Sequence, residues 1–334
     1  MKKSLVIFTH GGGRLANQII NHAHLIACQE TNKESIEVIN LGMGPFNGLF
    51  EAMLANGIPT MPRELKRMSN FRKLIAKIVE PRDYRMSLFN QVLRFIHMVA
   101  LLLPWLQSVK IGSAPGYLAF LPGKTFKKMD LGDEETLTLL QNRRITLIAG
   151  WPIRSWDLFK LHQRSIREAF RIKQEYAQNA VRYISEIRSK HDLVIGILMR
   201  QDDYRTWVGG KYFFENEIYH RWMKEIEGIF SNESVAFVIA SDEKKNLEDF
   251  SQVTAYLCTG QAVGSSHFIE SMAELSLCDY VMTPPSTFGV WAGFMGDVPV
   301  IPLCAKDQKL DKSQFLNNHI FGCLDHQDMS ISVK

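Results

Sequence analysis

The chain opens on a short apolar run, Ser4 to Thr9, followed by Gly11-Gly12-Gly13 and then by apolar positions spaced for a helix over Leu15 to Glu30. Continuous apolar runs, rather than strict alternation, are what a strand covered on both faces of a parallel sheet requires. Similar runs predict strands at 35–40, 145–149, 193–199, 235–240, 253–257, 280–282 and 298–302. Helical spacing predicts helices over 164–190 (Ile166, Phe170, Ala177, Val181, Ile184, Ile187), 214–229 and 266–277, and from about 288 onward. Strands alternating with helices predict an α/β protein. The two series of such units predict two Rossmann-like domains facing a cleft, the first over 1–163 and the second over 164–334.

Two segments break this pattern. Residues 61–90 carry eight basic side chains against Glu64, Glu80 and Asp83. The twelve residues Phe95 to Leu106 are almost wholly apolar, well short of the roughly 20 that cross a bilayer. Two readings stay open: a core helix, or an interfacial segment that lets the stretch 61–106 touch an anionic membrane surface. Together these residues form an insertion, about 61–110, in the first domain.

Composition adds bounds. With 334 residues, 46% hydrophobic positions and 22% charged ones, the chain can bury two cores. A net charge of +4, spread along the chain, suits an anionic small ligand and argues against a nucleic-acid partner. The five cysteines form no C-x-x-C pair, so neither a zinc site nor a disulfide framework is expected. The opening apolar run is too short for a secretory signal. A cytoplasmic location, peripheral at the inner membrane face if 61–106 makes contact, is the expectation.

Candidate chemistry sits where strands end. In open α/β sheets, ligands bind beyond the carboxyl ends of the strands. Arg200 ends the run Val194 to Met199 and is followed by Gln201, Asp202, Asp203 and Tyr204. A guanidinium there either grips phosphate, which it binds bidentately, or closes a strand-end salt bridge with Asp202 or Asp203. Two further loops follow strands in the same half, Ser241-Asp242 and Pro285-Ser286-Thr287-Phe288. Together they suit a nucleoside diphosphate, with Ser286 or Thr287 capping the next helix and Asp242 accepting from a guanine edge or a ribose. In the first half, Gly12 and Gly13 would bring backbone N–H groups to a phosphate, with Asn17 and Gln18 facing the cleft from the helix start. Asp202-Asp203 is adjacent rather than spaced as D-x-D, so no metal is expected. Asp203 is the favoured base for an acceptor hydroxyl, ahead of His10, His22 and His24.

These segments, in order, resemble glycosyltransferase family 11, the α-1,2-fucosyltransferases. Gly11 to Ile19 is similar to the opening G-G-L-G-N-Q-L/M-F, Ile148 to Phe159 to G-Y-x-Q-S-x-x-Y-F, Ile197 to Tyr204 to I-H-V-R-R-G-D-Y, and Ser266 to Phe294 to the later block ending N-S-T-F-S-W-W-A-A-W-L. Leu198, Gln201 and Asp202 stand where that signature carries histidine, arginine and glycine, and Pro285 stands for its asparagine. The resemblance implies a GT-B architecture. It also implies a metal-independent, inverting transfer from GDP-fucose, without other cofactor, to a glycan acceptor, with Arg200 and Asp203 in the catalytic site. The departures leave two alternatives: another nucleotide sugar as donor, or a non-catalytic nucleotide- or glycan-binding protein.

Overall fold

Seven consecutive buried residues, Leu193–Met199 (β8), form the centre of the C-terminal sheet. Every neighbour of that strand is parallel to it, so both faces must be covered and each residue can be apolar. The computed structural model describes residues 3–11, 13–51, 95, 97–100, 102–112 and 124–316. Gly12 and the basic stretch 61–90 lie outside the described residues. The chain divides into two compact units, Met1–Arg171 and Ile172–Lys334. The division falls after the helix Gln163–Ala169 rather than before it.

The first unit is built on Ser4–His10 (β1), Ile36–Asn40 (β2), Leu106–Ile111 (β3), Lys124–Phe126 (β4) and Ile145–Ala149 (β6). Their order across the sheet is β2-β1-β6-β3-β4, all parallel. Two short strands, Met129–Asp130 (β5) and Ile153–Arg154 (β7), pair separately. The helices are Leu15–Thr31 (α1), Glu134–Gln141 (α2), Trp156–Leu161 (α3) and Gln163–Ala169 (α4). Val6, Phe8, Val38, Val109 and Ile148 from the sheet pack with Leu25 and Cys28 of α1.

The predicted helix 164–190 is two helices, α4 and Gln174–Arg188 (α5). The chain leaves helical geometry between Phe170 and Lys173, and Val181, read as a core position, is exposed. The strands β3 and β4 and the helix α2 were not predicted. β3 is hard to read because Gln107, Ser108 and Lys110 interrupt its apolar character, although Ser108 and Lys110 are buried.

The second unit adds Val235–Ser241 (β9), Ala255–Leu257 (β10), Tyr280–Thr283 (β11) and Val300–Pro302 (β12). The sheet order is β10-β9-β8-β11-β12, all parallel. Counted within this unit the order is 3-2-1-4-5, so connections turn outward in opposite directions from β8 and β11. That reversal is a topological switch point, where this kind of sheet opens a crevice for ligands. The helices are Asn216–Ile229 (α6), Phe268–Ser276 (α7), Thr287–Gly296 (α8) and Lys312–Leu316 (α9). Tyr219, Trp222, Met223 and Ile226 of α6 cover one sheet face.

Candidate functional site

Arg200 follows β8 directly, and the register of β8 on β9 pairs Met199 with Ser241. One step further on, Arg200 and Asp242 therefore lie side by side. Arg200 Nη1 sits 2.9 Å from Asp242 Oδ2, and Nη2 donates to Asp203 Oδ1 at 2.5 Å. The guanidinium also lies 4.9 Å from the centre of the Tyr204 ring, within cation–π range. The two carboxylates differ in kind. Asp242 is 8% exposed, and its Oδ1 accepts from the backbone N–H of Gln201 at 2.9 Å and of Asp202 at 3.4 Å. Asp203 is 51% exposed. Asp242 is thus a fixture that shapes the loop and aims Arg200, while Asp203 can turn out to solvent. The residue expected to accept from a guanine or a ribose thus holds Arg200 through Oδ2 and the start of the loop through Oδ1.

Of the two sequence readings of Arg200, the strand-end ion pair is seen directly, with Asp203 and Asp242, and the guanidinium stands at the switch point. Its Nε is buried without a hydrogen-bond partner among the described residues. Carboxylate oxygens of Asp202, Asp203 and Asp242 lie within 4.8 Å of one another, so these three are the residues that could hold a metal. The Arg200 guanidinium already bridges two of them.

Tyr204, not singled out from sequence, ties the two sides of the switch point together. Its hydroxyl donates to the Pro285 carbonyl at 2.5 Å and is hydrogen-bonded to Ser286, and burial pushes its pKa up to about 12. The signal that could have found it is its place as the final residue of the signature segment. Ser286 occupies the N-cap position of α8, but its side chain makes no capping hydrogen bond. The expected Ser286 cap is therefore absent, because the hydroxyl is turned to Tyr204. Thr287 is the first residue of α8, and Phe288 follows it half-buried. The N-cap side chain does not cap this first turn, and a helix N-terminus at the carboxyl edge of a sheet favours an anion. Gly289 lets the turn sit against β11: a Cβ there would lie 2.5 Å from Thr283 Oγ1 and 2.6 Å from its Cβ.

Gln201 is buried and engaged inward. Its Nε2 donates to the Phe214 carbonyl at 2.6 Å, and its Oε1 accepts from the buried Lys245 ammonium. Burial lowers the Lys245 pKa. Deeper at the same edge, Thr259 after β10 is held by Glu270 and Glu274 of α7, with Oγ1 2.9 Å from Glu270 Oε2 and the backbone N–H donating to Glu274. Burial raises the Glu274 pKa.

In the first unit, Gly13 has φ +72° and would place a Cβ 2.0 Å from Asn17 Nδ2, so the Asn17 amide folds over a position that only glycine fills comfortably. Asn17 is half-buried, but Gln18 is not beside it on the surface. Neighbours on a helix point about 100° apart, and Gln18 turns inward against Gly42, where its Oε1 lies 2.6 Å from the place of a Cβ. Of the two residues expected at the cleft, Asn17 is half-buried and Gln18 is buried.

The histidines of α1 are buried. His24 Nδ1 accepts from the Ser155 N–H at 3.1 Å, and its ring packs on Trp156 and Phe159. His22 meets the edge of Phe170, and burial lowers its pKa to about 4. His10 closes β1, and its side chain lies outside the described residues. After β6, the buried Arg154 guanidinium stacks 4.0 Å over Trp151, and its Nη1 donates to Asn21 Oδ1 at 3.1 Å. Sequence reading passed over this cation, though it too comes after a strand end.

The sequence matches no protein-family model and no curated protein. Similar solved structures include a mutant of Arabidopsis thaliana FUT1 in complex with GDP, at 13% identity and TM-score 0.50, covering 93% of this chain and 72% of that one. POFUT1 in complex with GDP-fucose is similar at 11% identity and TM-score 0.50, covering 88% of this chain and 95% of that one. The α-1,6-fucosyltransferase NodZ with GDP aligns at 13% identity with TM-score 0.45, over 91% of this chain and 96% of that one. The chain has the α/β fold of the GT-B type, with two parallel-sheet units, that the first two of these structures share.

Proposed function

We propose that this chain is a glycosyltransferase that moves fucose from GDP-fucose to a hydroxyl of a glycan acceptor, by inversion and without a metal, in the synthesis of a bacterial surface glycan or oligosaccharide. One observation carries the reading. A guanidinium and an uncapped helix N-terminus flank the switch point of the second sheet, and Tyr204 joins them. The fold-level likeness to proteins in complex with GDP and GDP-fucose supports the donor class.

In the proposed reaction the acceptor oxygen forms a bond to the sugar's anomeric carbon as the bond from that carbon to the β-phosphate oxygen breaks. Negative charge grows on the departing diphosphate, and Arg200 with the α8 N–H groups meets it. The diphosphate displaces Asp203 from Arg200. Asp203, exposed and adjacent, is then free to take the proton of the acceptor hydroxyl. The cation in the acidic cluster is a side chain, so chelator-treated enzyme is expected to retain full activity.

A second reading, transfer from another nucleotide sugar, is favoured by Gln201, which replaces the second arginine of the signature segment and is engaged inward with Phe214 and Lys245. Calorimetric titration with GDP and UDP, followed by donor hydrolysis with a panel of GDP-sugars, tests both. GDP binding with fucose turnover supports the first reading, and turnover of a different sugar nucleotide alone replaces it. GDP binding with no turnover of any donor on any acceptor refutes an enzyme.

A further inference from the structure

Phe95 and His97–Val99 are helical, and the chain then turns through Leu102 and Leu106 into β3. One side of this segment faces inward. His97 is fully buried, with Nε2 3.0 Å from Thr9 Oγ1 and Nδ1 2.7 Å from Ser108 Oγ, and Ala100 is buried beside it. Four large apolar side chains of the same segment, Phe95, Met98, Leu102 and Trp105, are exposed instead. Phe95 and Met98 lie one helical turn apart, and Leu102 and Trp105 follow in the turn that leads to β3. Phe95 is 62% and Leu102 79% exposed, and Met98 and Trp105 are exposed as well. Single exposed apolar residues are ordinary; a stripe of four large ones marks an interaction surface.

Charge identifies the partner. Trp105 leads into the amino edge of the first sheet, where the Ile145 N–H donates to the Trp105 carbonyl at 3.1 Å and the Leu5 N–H to the Arg144 carbonyl at 2.9 Å. Arg143 Nη1 donates to the Pro104 carbonyl at 2.5 Å. Lys3, Arg143 and Arg144 are all exposed along this edge. In sequence, the stripe comes directly after the stretch 61–90, with eight basic residues against three acidic. A second copy of the chain fits poorly, because a self-complementary contact would bring like-charged rims together.

We propose that this stripe docks the protein on an anionic bilayer, its apolar side chains entering the interfacial region while the arginine edge meets lipid phosphates. No helix among the described residues is long and apolar enough to cross a membrane, so the contact is peripheral. It lies in the first unit and is independent of the donor assignment.

The test is co-sedimentation of the full chain with vesicles of phosphatidylcholine alone or containing phosphatidylglycerol, at low and high salt. Wild type should bind the anionic vesicles and lose binding as salt rises. The variant F95S/M98Q/L102Q/W105S should bind on the order of tenfold more weakly or worse, and R143E/R144E should lose most of the salt-sensitive part. Circular dichroism and the thermal melting curve check that each variant is folded. If the fourfold variant fails that check, L102Q and W105S singly take its place, and each should still lower binding measurably. Absence of wild-type binding to anionic vesicles, or undiminished binding by the stripe variants, overturns the proposal. So does a dimer that the same substitutions abolish without vesicle binding, which would assign the stripe to a second copy.

Discussion

Replacing Arg200 by alanine separates a phosphate-gripping side chain from a strand-end ion pair, provided stability and activity are read together. In the folded chain the guanidinium neutralises the nearly buried Asp242 and the half-exposed Asp203. Removing one partner of a buried pair costs about 3–5 kcal/mol when the other charge is left alone. Here Asp242 keeps two backbone N–H donors, which offsets roughly half of that. The Asp203 pair and the Tyr204 stacking add about 0.5–1 kcal/mol each, discounted for exposure. The expected loss is about 3 kcal/mol, a fall of roughly 6–12 °C in the melting of a unit this size. Loss of a charged hydrogen-bond donor to a diphosphate should weaken GDP binding roughly 10–150-fold. Loss of one preorganised donor at the transition state should cost about 10²–10³ in turnover. Arg200→Lys keeps the charge but not the fork. It should recover most of the melting temperature and little of the activity, a split that a purely structural role does not produce. Calorimetry with GDP, run well below both melting points, is the deciding measurement. A folded R200A that binds GDP within threefold of wild type would refute the role given to Arg200.

Asp203→Asn should separate binding from chemistry in the opposite sense. It removes an exposed competitor worth about 0.2–1 kcal/mol, so GDP should bind slightly tighter while transfer falls by about 10² or more; weaker GDP binding with unchanged transfer would contradict the exchange mechanism. Gly289→Ala drives a methyl into Thr283 and should cost about 1–3 kcal/mol while weakening GDP binding, because the first turn of α8 must move; a melting curve and the same titration check it. Acid should open the first unit before the second. His22 and His97 are buried neutral, each with its pKa lowered by burial to about 4. A lowered histidine pKa means that the unfolded chain binds the proton first. Stability is therefore full above about pH 6.5 and is lost as pH falls from there through 4, by roughly 3 kcal/mol for each histidine. Hydrogen exchange at pH 5 against pH 7.5 should show faster exchange in β1 and β3 and little change in β8 and β9; a uniform response would argue against it.

The fold was legible where burial is symmetrical. β6, β8 and β9 are uninterrupted apolar runs because parallel neighbours and helices enclose them, and their limits lie within a residue of those read from the chain. β3 was hidden because its polar side chains are satisfied by distant partners: Ser108 by His97, and Gln107 by Thr146 and the Leu139 carbonyl. The break between α4 and α5 carries neither proline nor glycine, so the apolar spacing ran across it. At the site, the strand ends announced Arg200, Asp203 and the 285–288 loop, since those assignments need only the residues directly after an apolar run. The parts played by Asp242 and Lys245 could not be read that way. In sequence they belong to a charged turn, Asp242-Glu243-Lys244-Lys245, of the kind that usually faces water. Only the register of β9 on β8 turns Asp242 toward Arg200, and only the return of the chain at Phe214 and Asn216 buries Lys245 against Gln201.

The order of strands in the first sheet has a consequence for how the chain is made. β6 lies between β1 and β3, yet it is the last of the sheet's five strands to be synthesised. Until Ile145–Ala149 emerge, the strands already made could form only two separate pairs, β2-β1 and β3-β4, each lacking the neighbour that β6 supplies. Pairs of parallel strands do not persist alone in water, and exposed apolar edges invite intermolecular pairing. The first unit should therefore condense in one late step, after the whole 61–110 insertion has been made. A chain that stops short of Ile145 should be a target for chaperones and proteases rather than a partly working half.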